Sequence, residues 1–355
     1  TAANVVPTPT TIPTFDSELL FGPWSGILKG YAGDDEITTY ETNIVEDNTV
    51  ISARFTPPHY ENAATKTWSQ GIVHRQDYSG QYQLAISNNQ NWYHKLIIRG
   101  EGQDTQFVTV DSGYSPHINI TPGSSNEIKL ISLGEKGWLW INGQYIDQLS
   151  FIDRVGAGEI EFGGGFWTED EIVDSTYIVE EARIKSIESM PVPNSSNSIE
   201  HNPDSGNTIV QKIGDMKISN FIMEFEVENA VQKWSTGANI RRDAFGLTWF
   251  PITVGYIGNG YGWIHYITTE SAEWEIIDSG YYSEFNQGRG ESNKFMIIAD
   301  GNNGALYAND SFITSLDLSR HTHDGFIQIY GDVFGNQIAN GETKFSETKV
   351  WHLGE

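Results

Sequence analysis

Cysteine is absent from this chain of 355 residues, and basic residues are scarce, with 21 lysines and arginines against 47 aspartates and glutamates. The lack of cysteine excludes disulfides, thiolate metal sites and a cysteine nucleophile. The formal net charge of −26 repels phosphate backbones and anionic lipids, which argues against nucleic acid and membrane surfaces as partners. No apolar run is long enough to cross a bilayer, so we expect no membrane span.

Signatures of the common enzyme classes are missing as well. The chain has no GxSxG, HExxH, P-loop or dinucleotide-binding motif. We therefore expect a protein that binds its partners without catalysing a reaction.

The composition indicates a location. A cysteine-free, acidic chain rich in glycine, asparagine and threonine looks like a bacterial or archaeal surface protein, since secreted eukaryotic proteins of this size usually contain cysteine. The chain begins at Thr1 without methionine, as a secreted chain does after its signal peptide is removed, although an artificial start would look the same. We expect an extracellular or cell-surface protein.

Short apolar runs that alternate with polar residues fill most of the chain. Examples are YQLAIS, FIMEFEVE and GWIHYIT, and clusters of glycine, asparagine, aspartate and serine separate them. No segment keeps a helical period beyond a turn or two. The pattern predicts an all-β protein with antiparallel strands in a sandwich or barrel.

Two near-copies of one phrase show that the chain is duplicated. Residues 68–77 read WSQGIVHRQD and residues 234–243 read WSTGANIRRD, an offset of 166 (234 − 68). The triplet Ser-Gly-Tyr recurs at 112–114 and 279–281, an offset of 167 (279 − 112). A shift that stays constant over such a span indicates the repeat of a whole domain.

The repeat sets the predicted domain boundaries. Residues 15–190 and 207–355 are the two homologous β domains, and residues 191–206, rich in proline and small polar residues, are the linker. Residues 1–14, TAANVVPTPTTIPT, form a Thr/Pro-rich tail that proline keeps extended. This tail would be a surface tether or would dock on the sheet edge of its own domain or a neighbouring molecule.

Three phrases carry a resemblance to a known family. They are W-x-x-G-x-x-x-R, the stretch NEIKLISLGEKGWLWINGQYI with its Asn142-Gly143 hairpin, and the strand ARIKSI. Together they resemble the concanavalin A-like lectin/glucanase superfamily, and in particular its laminin-G-like jelly rolls. The resemblance implies two tandem antiparallel β-sandwich (jelly-roll) domains, and it supplies no function by itself.

The repeated tryptophan and arginine are the first candidate residues. An arginine beside an aromatic ring can hold a sugar or a carboxylate. Because both copies of the repeat keep the pair, we expect a structural role, with each arginine stacked on a sheet and paired to Asp77 or Asp243. The signature residues are Trp68, Arg75, Trp234 and Arg241.

Clustered aromatic residues are the candidates for a ligand surface. Flat aromatic faces stack on the C–H faces of sugar rings, so we expect some of these residues to contact glycans. Packing inside the sandwich and contacts with other proteins are the alternatives. The candidates are Trp92, Tyr93, Tyr256, Tyr261, Trp263, Tyr281 and Tyr282.

Acidic loops could offer oxygen ligands to Ca²⁺, the one cofactor that we expect if there is any. The candidates are Asp34, Asp35 and Glu36 together with the loop around Asp332. None of them has the spacing of an EF-hand, and a solvated charged loop is the simpler interpretation.

One strand imitates the catalytic strand of glucanases with this fold. Those enzymes use E-x-D-x-E to place two carboxylates beside the glycosidic bond. Glu224, Glu226 and Glu228 have the same alternation, but the middle residue is Glu, and ISARF, the matching strand of the first repeat, has no carboxylate. A solvated strand face is the simpler interpretation.

These observations leave three functions open. The first is an extracellular, non-catalytic surface protein that binds glycans or mediates adhesion. The second is a structural subunit of an extracellular filament, sheath or surface layer, with the tail docked on a neighbouring copy. The third is a glycoside hydrolase. The expected partners are therefore glycans or other copies of the chain.

Overall fold

A computed structural model describes most of the chain, and every regular element in it is a β-strand. The described residues are 18–29, 37–57, 67–100, 104–121, 123–166, 176–190, 197–200, 209–213, 217–229, 233–243, 248–257, 260–268, 273–333 and 342–354. The predicted tail, residues 1–14, lies outside these ranges, as does most of the predicted linker. The described part of the chain contains no helix that could cross a membrane.

The strands fall into two compact units, Ser17–Glu188 and Ser189–Leu353. Twelve strands build the first unit, and they are β1 Leu19–Lys29, β2 Thr38–Glu46, β3 Thr49–Thr56, β4 Trp68–Asp77, β5 Gly80–Ser87, β6 Asn91–Ile98, β7 Gln106–Tyr114, β8 Asn126–Leu133, β9 Lys136–Ile141, β10 Gln144–Ser150, β11 Gly158–Phe166 and β12 Thr176–Ser186. They form two antiparallel sheets of six, with the orders β1-β12-β3-β8-β9-β10 and β2-β11-β4-β5-β6-β7.

The second unit repeats this plan. Its strands are β13 Glu188–Met190, β14 Asn197–Glu200, β15 Ile209–Lys212, β16 Phe221–Glu228, β17 Trp234–Arg242, β18 Phe250–Ile257, β19 Gly260–Thr268, β20 Trp274–Tyr281, β21 Ser292–Asp300, β22 Asn303–Ala308, β23 Ser311–Asp317, β24 Phe326–Val333 and β25 Glu342–His352. One sheet has the order β13-β25-β16-β21-β22-β23, with β14 also on β25, and the other β15-β24-β17-β18-β19-β20. The fold prediction of two tandem antiparallel β-sandwiches is confirmed.

Each sandwich closes around an apolar interior to which both sheets contribute. In β3 the residues Ile51 and Phe55 are fully buried, and in β16 Phe221 and Met223 are as well. Every second residue of these strands points inward because side chains alternate across a pleated strand. Burial of each such side chain contributes about 1.5–3 kcal/mol. The buried apolar residues form one cluster in each unit, so each unit has a core of its own.

Two repeated glycines make room for neighbouring groups. A Cβ on Gly71 would lie 1.9 Å from the carbonyl oxygen of Leu84. A Cβ on Gly280, in the repeated Ser-Gly-Tyr triplet, would lie 2.8 Å from Nε1 of Trp263. The repeat therefore preserves these glycines for packing.

The hairpin prediction at Asn142-Gly143 is also confirmed. Asn142 and Gly143 have φ values of 51° and 75°, and the matching turn in the second unit has 50° at Asn309 and 65° at Asp310. Positive φ at both central residues is the geometry that a tight two-residue hairpin requires.

Candidate functional site

The repeated arginines lie inside the sandwiches. Arg241 is fully buried, with a φ of 52° in the irregular part of β17. Its guanidinium donates to the carbonyl oxygens of Ser219 at 3.0 Å, Leu318 at 3.3 Å, His321 at 3.0 Å and Gly301 at 2.7 Å. Burial lowers the pKa of Arg241 to about 10. This contact set supports several turns at once, as expected of a structural residue.

Arg75 has the same arrangement in the first unit, with a φ of 53° and 1% exposure. It donates to the carbonyl oxygens of Arg154 at 2.8 Å and Gly134 at 2.6 Å. The expected partner, Asp77, forms its ion pair with Arg154 instead. The prediction of an Arg75–Asp77 pair is therefore wrong, because the positive φ turns Arg75 away from the strand surface.

The predicted aromatic residues do not form one surface. Trp92 and Trp263 are 2% and 7% exposed and belong to the two cores, as do Trp68 and Trp234. Trp92 and Trp263 therefore cannot offer their faces to a ligand. These two predictions are wrong, since an alternating strand places every second side chain inside and the pattern alone does not say which side is wet.

The tyrosines of the second unit gather at one end of its β15–β20 sheet. Tyr256 and Tyr261 meet edge to face with ring centroids 5.6 Å apart, and Tyr261 also packs on Trp234. Tyr282 is half-buried against the core, whereas Tyr281 is 85% exposed. Only Tyr281 of this group is an open aromatic face.

In the first unit, Tyr93 is half-buried on β6. Its hydroxyl oxygen accepts a hydrogen bond from the Asn91 side chain at 3.3 Å, and the ammonium of Lys95 lies 6.0 Å from its ring centroid. Tyr93 is thus held by its own strand, and it pairs with Ser112, two residues from the exposed Tyr114 on the neighbouring strand β7.

Of the four predicted calcium ligands, the structure describes only the backbone of Asp332. Asp34, Asp35 and Glu36 lie outside the described residues. Asp332 lies within β24, where its backbone pairs with Ser235, so the prediction of a loop at this position is wrong. Among the described residues no group of three or more acidic or histidine side chains is placed to hold a metal ion.

The carboxylates of β16 lie on the sheet opposite the tyrosine cluster. Glu224 faces Lys294 at 3.4 Å, and Glu228 faces Lys344 at 3.0 Å. These are the cross-strand pairs of a solvated sheet face, which is the simpler of the two interpretations made from the sequence.

Arg242, the residue after the buried Arg241, belongs to a second candidate surface. The irregularity in β17 sends Arg241 inward and Arg242 outward, to the outer face of the β15–β20 sheet. The Arg242 guanidinium lies over the Trp249 ring, 4.9 Å from its centroid, and donates to the side-chain oxygen of Gln328. A guanidinium stacked on an indole keeps its N–H edge available for further acceptors.

Aromatic residues continue this surface to the sheet edge. Trp274 is 60% exposed and meets Trp249 and Tyr266 edge to face, with centroids 6.5 Å and 5.5 Å apart. Ile276, on the same edge strand, is 57% exposed. An open indole with two aromatic neighbours is an uncommon arrangement on a soluble surface unless it makes contacts.

Lys212 and Lys217 extend this surface on the side of Arg242 away from Trp274. The ammonium groups of Lys212 and Lys217 lie 3.8 Å and 5.4 Å from the centroid of the Phe326 ring. We call the whole set the basic aromatic strip, and it comprises Lys212, Lys217, Arg242, Trp249, Tyr266, Trp274, Ile276, Phe326 and Gln328. The strip crosses six strands, a width of about 24 Å.

Strand register identifies the matching positions of the first unit. Gly71 pairs with Gly163 and Ala85, as Gly237 pairs with Tyr330 and Thr253. Counting from these pairs along equivalent strands gives the residue of the first unit at each position of the strip. On the three strands nearest β15, Glu41 corresponds to Lys212, Glu159 to Phe326, Glu161 to Gln328 and Gln76 to Arg242. Towards β20, Gln81 corresponds to Trp249, Lys95 to Tyr266 and Phe107 to Trp274.

The first unit's version of this face is acidic, and the carboxylate of Glu161 is buried in it. Glu161 is 3% exposed and accepts a hydrogen bond from the Gln76 side chain at 2.8 Å. Burial raises the pKa of Glu161, and the nearby carboxylates of Glu159 and Glu41 raise it further. The same place in the fold therefore has opposite charge in the two units.

The strip was not predicted from the residues that the two repeats share. The strip consists of positions at which they differ, such as glutamine at 76 and arginine at 242. A comparison of the differences would have shown aromatic and basic residues gained in one copy only.

Comparisons with known proteins give structural similarity alone. No protein-family profile matches the chain, and no curated protein matches it significantly. The carbohydrate-binding module CBM66 from Bacillus subtilis has 10% identity and a TM-score of 0.33, covering 46% of this chain and 92% of the module. The κ-carrageenase from Pseudoalteromonas carrageenovora, in complex with a κ-carrageenan oligotetrasaccharide, has 6% identity and a TM-score of 0.32, covering 42% of this chain and 67% of the enzyme.

A tandem protein is also similar along nearly the whole chain. Domains LG4-5 of the mouse laminin α1 chain have 8% identity and a TM-score of 0.26, covering 97% of this chain and 93% of theirs. The resemblance to concanavalin A-like jelly rolls is one of fold. At these identities and TM-scores it assigns neither a ligand nor an activity to this chain.

Proposed function

We propose that the protein is an extracellular, non-catalytic surface protein that attaches to glycans through the basic aromatic strip of its second unit. The observation that supports this most is the open Trp274 ring, flanked by Trp249 and Tyr266 on one sheet face. A sugar ring stacks its C–H face on such an indole, and neighbouring polar groups orient its hydroxyls.

Polar side chains beside the aromatic rings supply that orientation. The side-chain amide of Asn239 donates to the Gln328 oxygen at 3.4 Å, and Arg242 donates to the same oxygen. Donors already fixed by their neighbours lose little entropy when a ligand binds. The strip thus combines an apolar platform with fixed hydrogen-bonding groups.

A pair of variants on one strand tests the proposal. Trp274→Ala should weaken binding to a glycan found on a broad array by about tenfold or more, equal to about 1.4 kcal/mol. Tyr281→Ala, which removes an 85% exposed ring at the other end of β20, should leave affinity unchanged. If the protein binds no glycan on the array, or if only Tyr281→Ala weakens binding, the proposal fails.

The ion pairs of the β16 carboxylates support the proposal that the protein is not an enzyme. Glu224 and Glu228 are engaged by lysines on the sheet that does not carry the strip. Polysaccharide incubated with the protein should therefore keep its reducing-end content. Turnover that Glu226→Gln abolishes would instead establish the glycoside hydrolase.

Assembly into an extracellular filament, sheath or layer is the second candidate. The edge strand β7 favours it, since Phe107, Val108 and Tyr114 are 36%, 44% and 65% exposed along a strand that pairs only with β6 among the described strands of its sheet. Such an edge accepts an added strand from another molecule. Light scattering of the full chain and of a variant lacking residues 1–14 tests this, and monomers in both samples would rule it out.

A further inference from the structure

A cleft between two strand edges of the first unit lies outside the proposed glycan site. It has a volume of about 250 Å³, and its walls come from β7, the β8–β9 turn, β10 and Ile152 of the loop after β10. Because β7 and β10 are the last strands of the two sheets, the cleft opens at one edge of the sandwich. We infer that this edge cleft binds an arginine side chain of a basic partner protein.

The walls of the edge cleft match the two parts of an arginine side chain. Its apolar lining, along which methylene groups can pack, consists of Val110, Leu149 and Ile152. Its charged lining has two carboxylates, Asp111 and Glu135, against the one ammonium of Lys136. A guanidinium has five N–H donors and no acceptor, so it fits a site in which acceptors and negative charge are in excess.

The side chain of Gln148 supplies an acceptor that the fold leaves unused. Its Oε1 atom is buried and accepts no hydrogen bond within the described part of the chain. A buried acceptor without a partner costs free energy, which a donor entering the cleft would recover. Burial, and then the carboxylate of Asp111, raise the pKa of the preceding Asp147, so a cation at this end of the cleft would relieve charge repulsion as well.

The buried arginines show which loop positions of the two units correspond. Each donates to one carbonyl oxygen in the loop that follows the last strand of the opposite sheet, at Arg154 in the first unit and at His321 in the second. The residues just before these two, Asp153 and Arg320, therefore occupy the same place in the fold.

The second unit bridges this place with an ion pair. Arg320 binds Glu275 of the edge strand β20 at 2.8 Å. The matching registers of β7 on β6 and of β20 on β19 make Val108 the counterpart of Glu275. With Val108 and Asp153 at the two positions, the first unit cannot form this bridge, and the cleft stays open there.

The rim of the edge cleft exposes apolar side chains. Ile152 is 62% exposed and Val155 is 38% exposed, whereas the corresponding loop residues of the second unit are Ser319 and Thr322. Folding therefore does not require apolar groups at these positions. Exposed apolar groups around a cleft are typical of a surface that another macromolecule covers.

The charge of the whole molecule favours a basic partner. A net charge of −26 attracts a cationic protein segment and speeds its association. The same charge repels a second copy of this chain, and a small free amine would leave the apolar rim uncovered. A protein segment that inserts an arginine and covers the rim accounts for both observations.

Matched peptides test the inference on the full chain. The probe is acetyl-Gly-Val-Arg-Val-Gly-amide, compared with one peptide in which citrulline replaces the arginine and one in which norleucine does. Citrulline keeps the shape without the charge, and norleucine keeps only the stem. In titrations followed by saturation-transfer NMR, we expect the arginine peptide to bind about tenfold or more tighter than either of the others.

Variants at the cleft locate the binding. Val108→Glu combined with Asp153→Arg installs the ion pair of the second unit across the opening and should abolish binding of the arginine peptide. Gln148→Ala removes the unused acceptor and should weaken binding about fivefold or more. Val45→Glu makes the first of these changes on the exposed part of β2, at the opposite edge of the same sheet, and is the control that should bind normally. Unchanged thermal unfolding would show that the variants are folded.

The outcomes keep this inference separate from glycan binding by the second unit. Equal affinity for the arginine and citrulline peptides overturns it, as does binding that the double variant leaves unchanged. Failure to bind any of the peptides overturns it as well. Dimers of the wild type that the double variant abolishes in light scattering would mean that a second copy occupies the cleft, which also overturns it. None of these results changes the prediction for Trp274→Ala.

Discussion

Lowering the pH below 6.5 should destabilise the first unit through two histidines in its interior. His74 and His94 are 1% and 0% exposed, their rings are stacked 6.0 Å apart, and Phe151 meets both of them edge-on. Neither ring has a hydrogen-bond partner within the described part of the chain. Burial lowers the pKa of His74 well below its usual value and that of His94 to about 3.

The sign and size follow from proton linkage. A histidine whose folded-state pKa is lowered takes up its proton only after unfolding, so its full stabilising effect is present above pH 6.5 and is lost as the pH falls towards the folded pKa. Each group contributes a slope of about 1.4 kcal/mol per pH unit in that window. Between pH 6.5 and 5 the pair should cost about 3 kcal/mol, because an unfolded-state histidine is only half protonated at pH 6.5 and reaches the full slope below it; this is a large share of a domain's roughly 5–15 kcal/mol.

The second unit shows which substitution of His74 the fold should accept. The position of His74 holds the buried Ile240 in the second unit, so His74→Ile should be tolerated and should remove half of the slope. Denaturant unfolding followed by tryptophan fluorescence at pH 7, 6 and 5 would measure this. Glu161 and Asp147, whose pKa values are raised by burial, titrate in both proteins and cancel in the difference.

Parallel curves for the wild type and His74→Ile across this range would refute the reasoning, since they would mean that His74 is protonated in the folded state.

Three further predictions concern stability and can be checked by denaturant unfolding. Arg241→Gln should cost the second unit at least about 3 kcal/mol, because several carbonyl oxygens lose a charged donor; a loss below 1 kcal/mol would contradict a structural role. Gly71→Ala should cost more than 1–3 kcal/mol through its backbone clash, whereas Gly156→Ala, with open space around it, should be nearly neutral. Trp92→Ala should cost about 3–5 kcal/mol, and glycan affinity of the protein that remains folded should be unchanged.

The sequence was sufficient for the fold because local and repeated signals agreed. Alternation predicted strands, Asn142-Gly143 predicted a hairpin with positive φ, and the repeat of Trp68 and Arg75 predicted two copies of one architecture. Each of these signals is set by residues close together in the chain. The structural role of the repeated arginines was predicted for the same reason, but their carbonyl partners come from distant turns and were not.

The site could not be predicted in the same way. Whether Trp92 or Trp274 faces water depends on which side of a strand meets the other sheet, and no short pattern contains that information. Arg242 reaches the outer face only because the backbone irregularity at Arg241 breaks the alternation. The strip is therefore a product of strand order and register across the β15–β20 sheet.

The break in strand alternation at Arg241 places a structural side chain and a surface side chain at consecutive positions of β17. The inward arginine donates to the carbonyl oxygens of several turns, whereas its immediate neighbour points to the outer face. The outward position holds Gln76 in one half and Arg242 in the other. Substituting a few outward residues of the first unit should therefore change which ligand its sheet binds while the buried Arg75 keeps the fold.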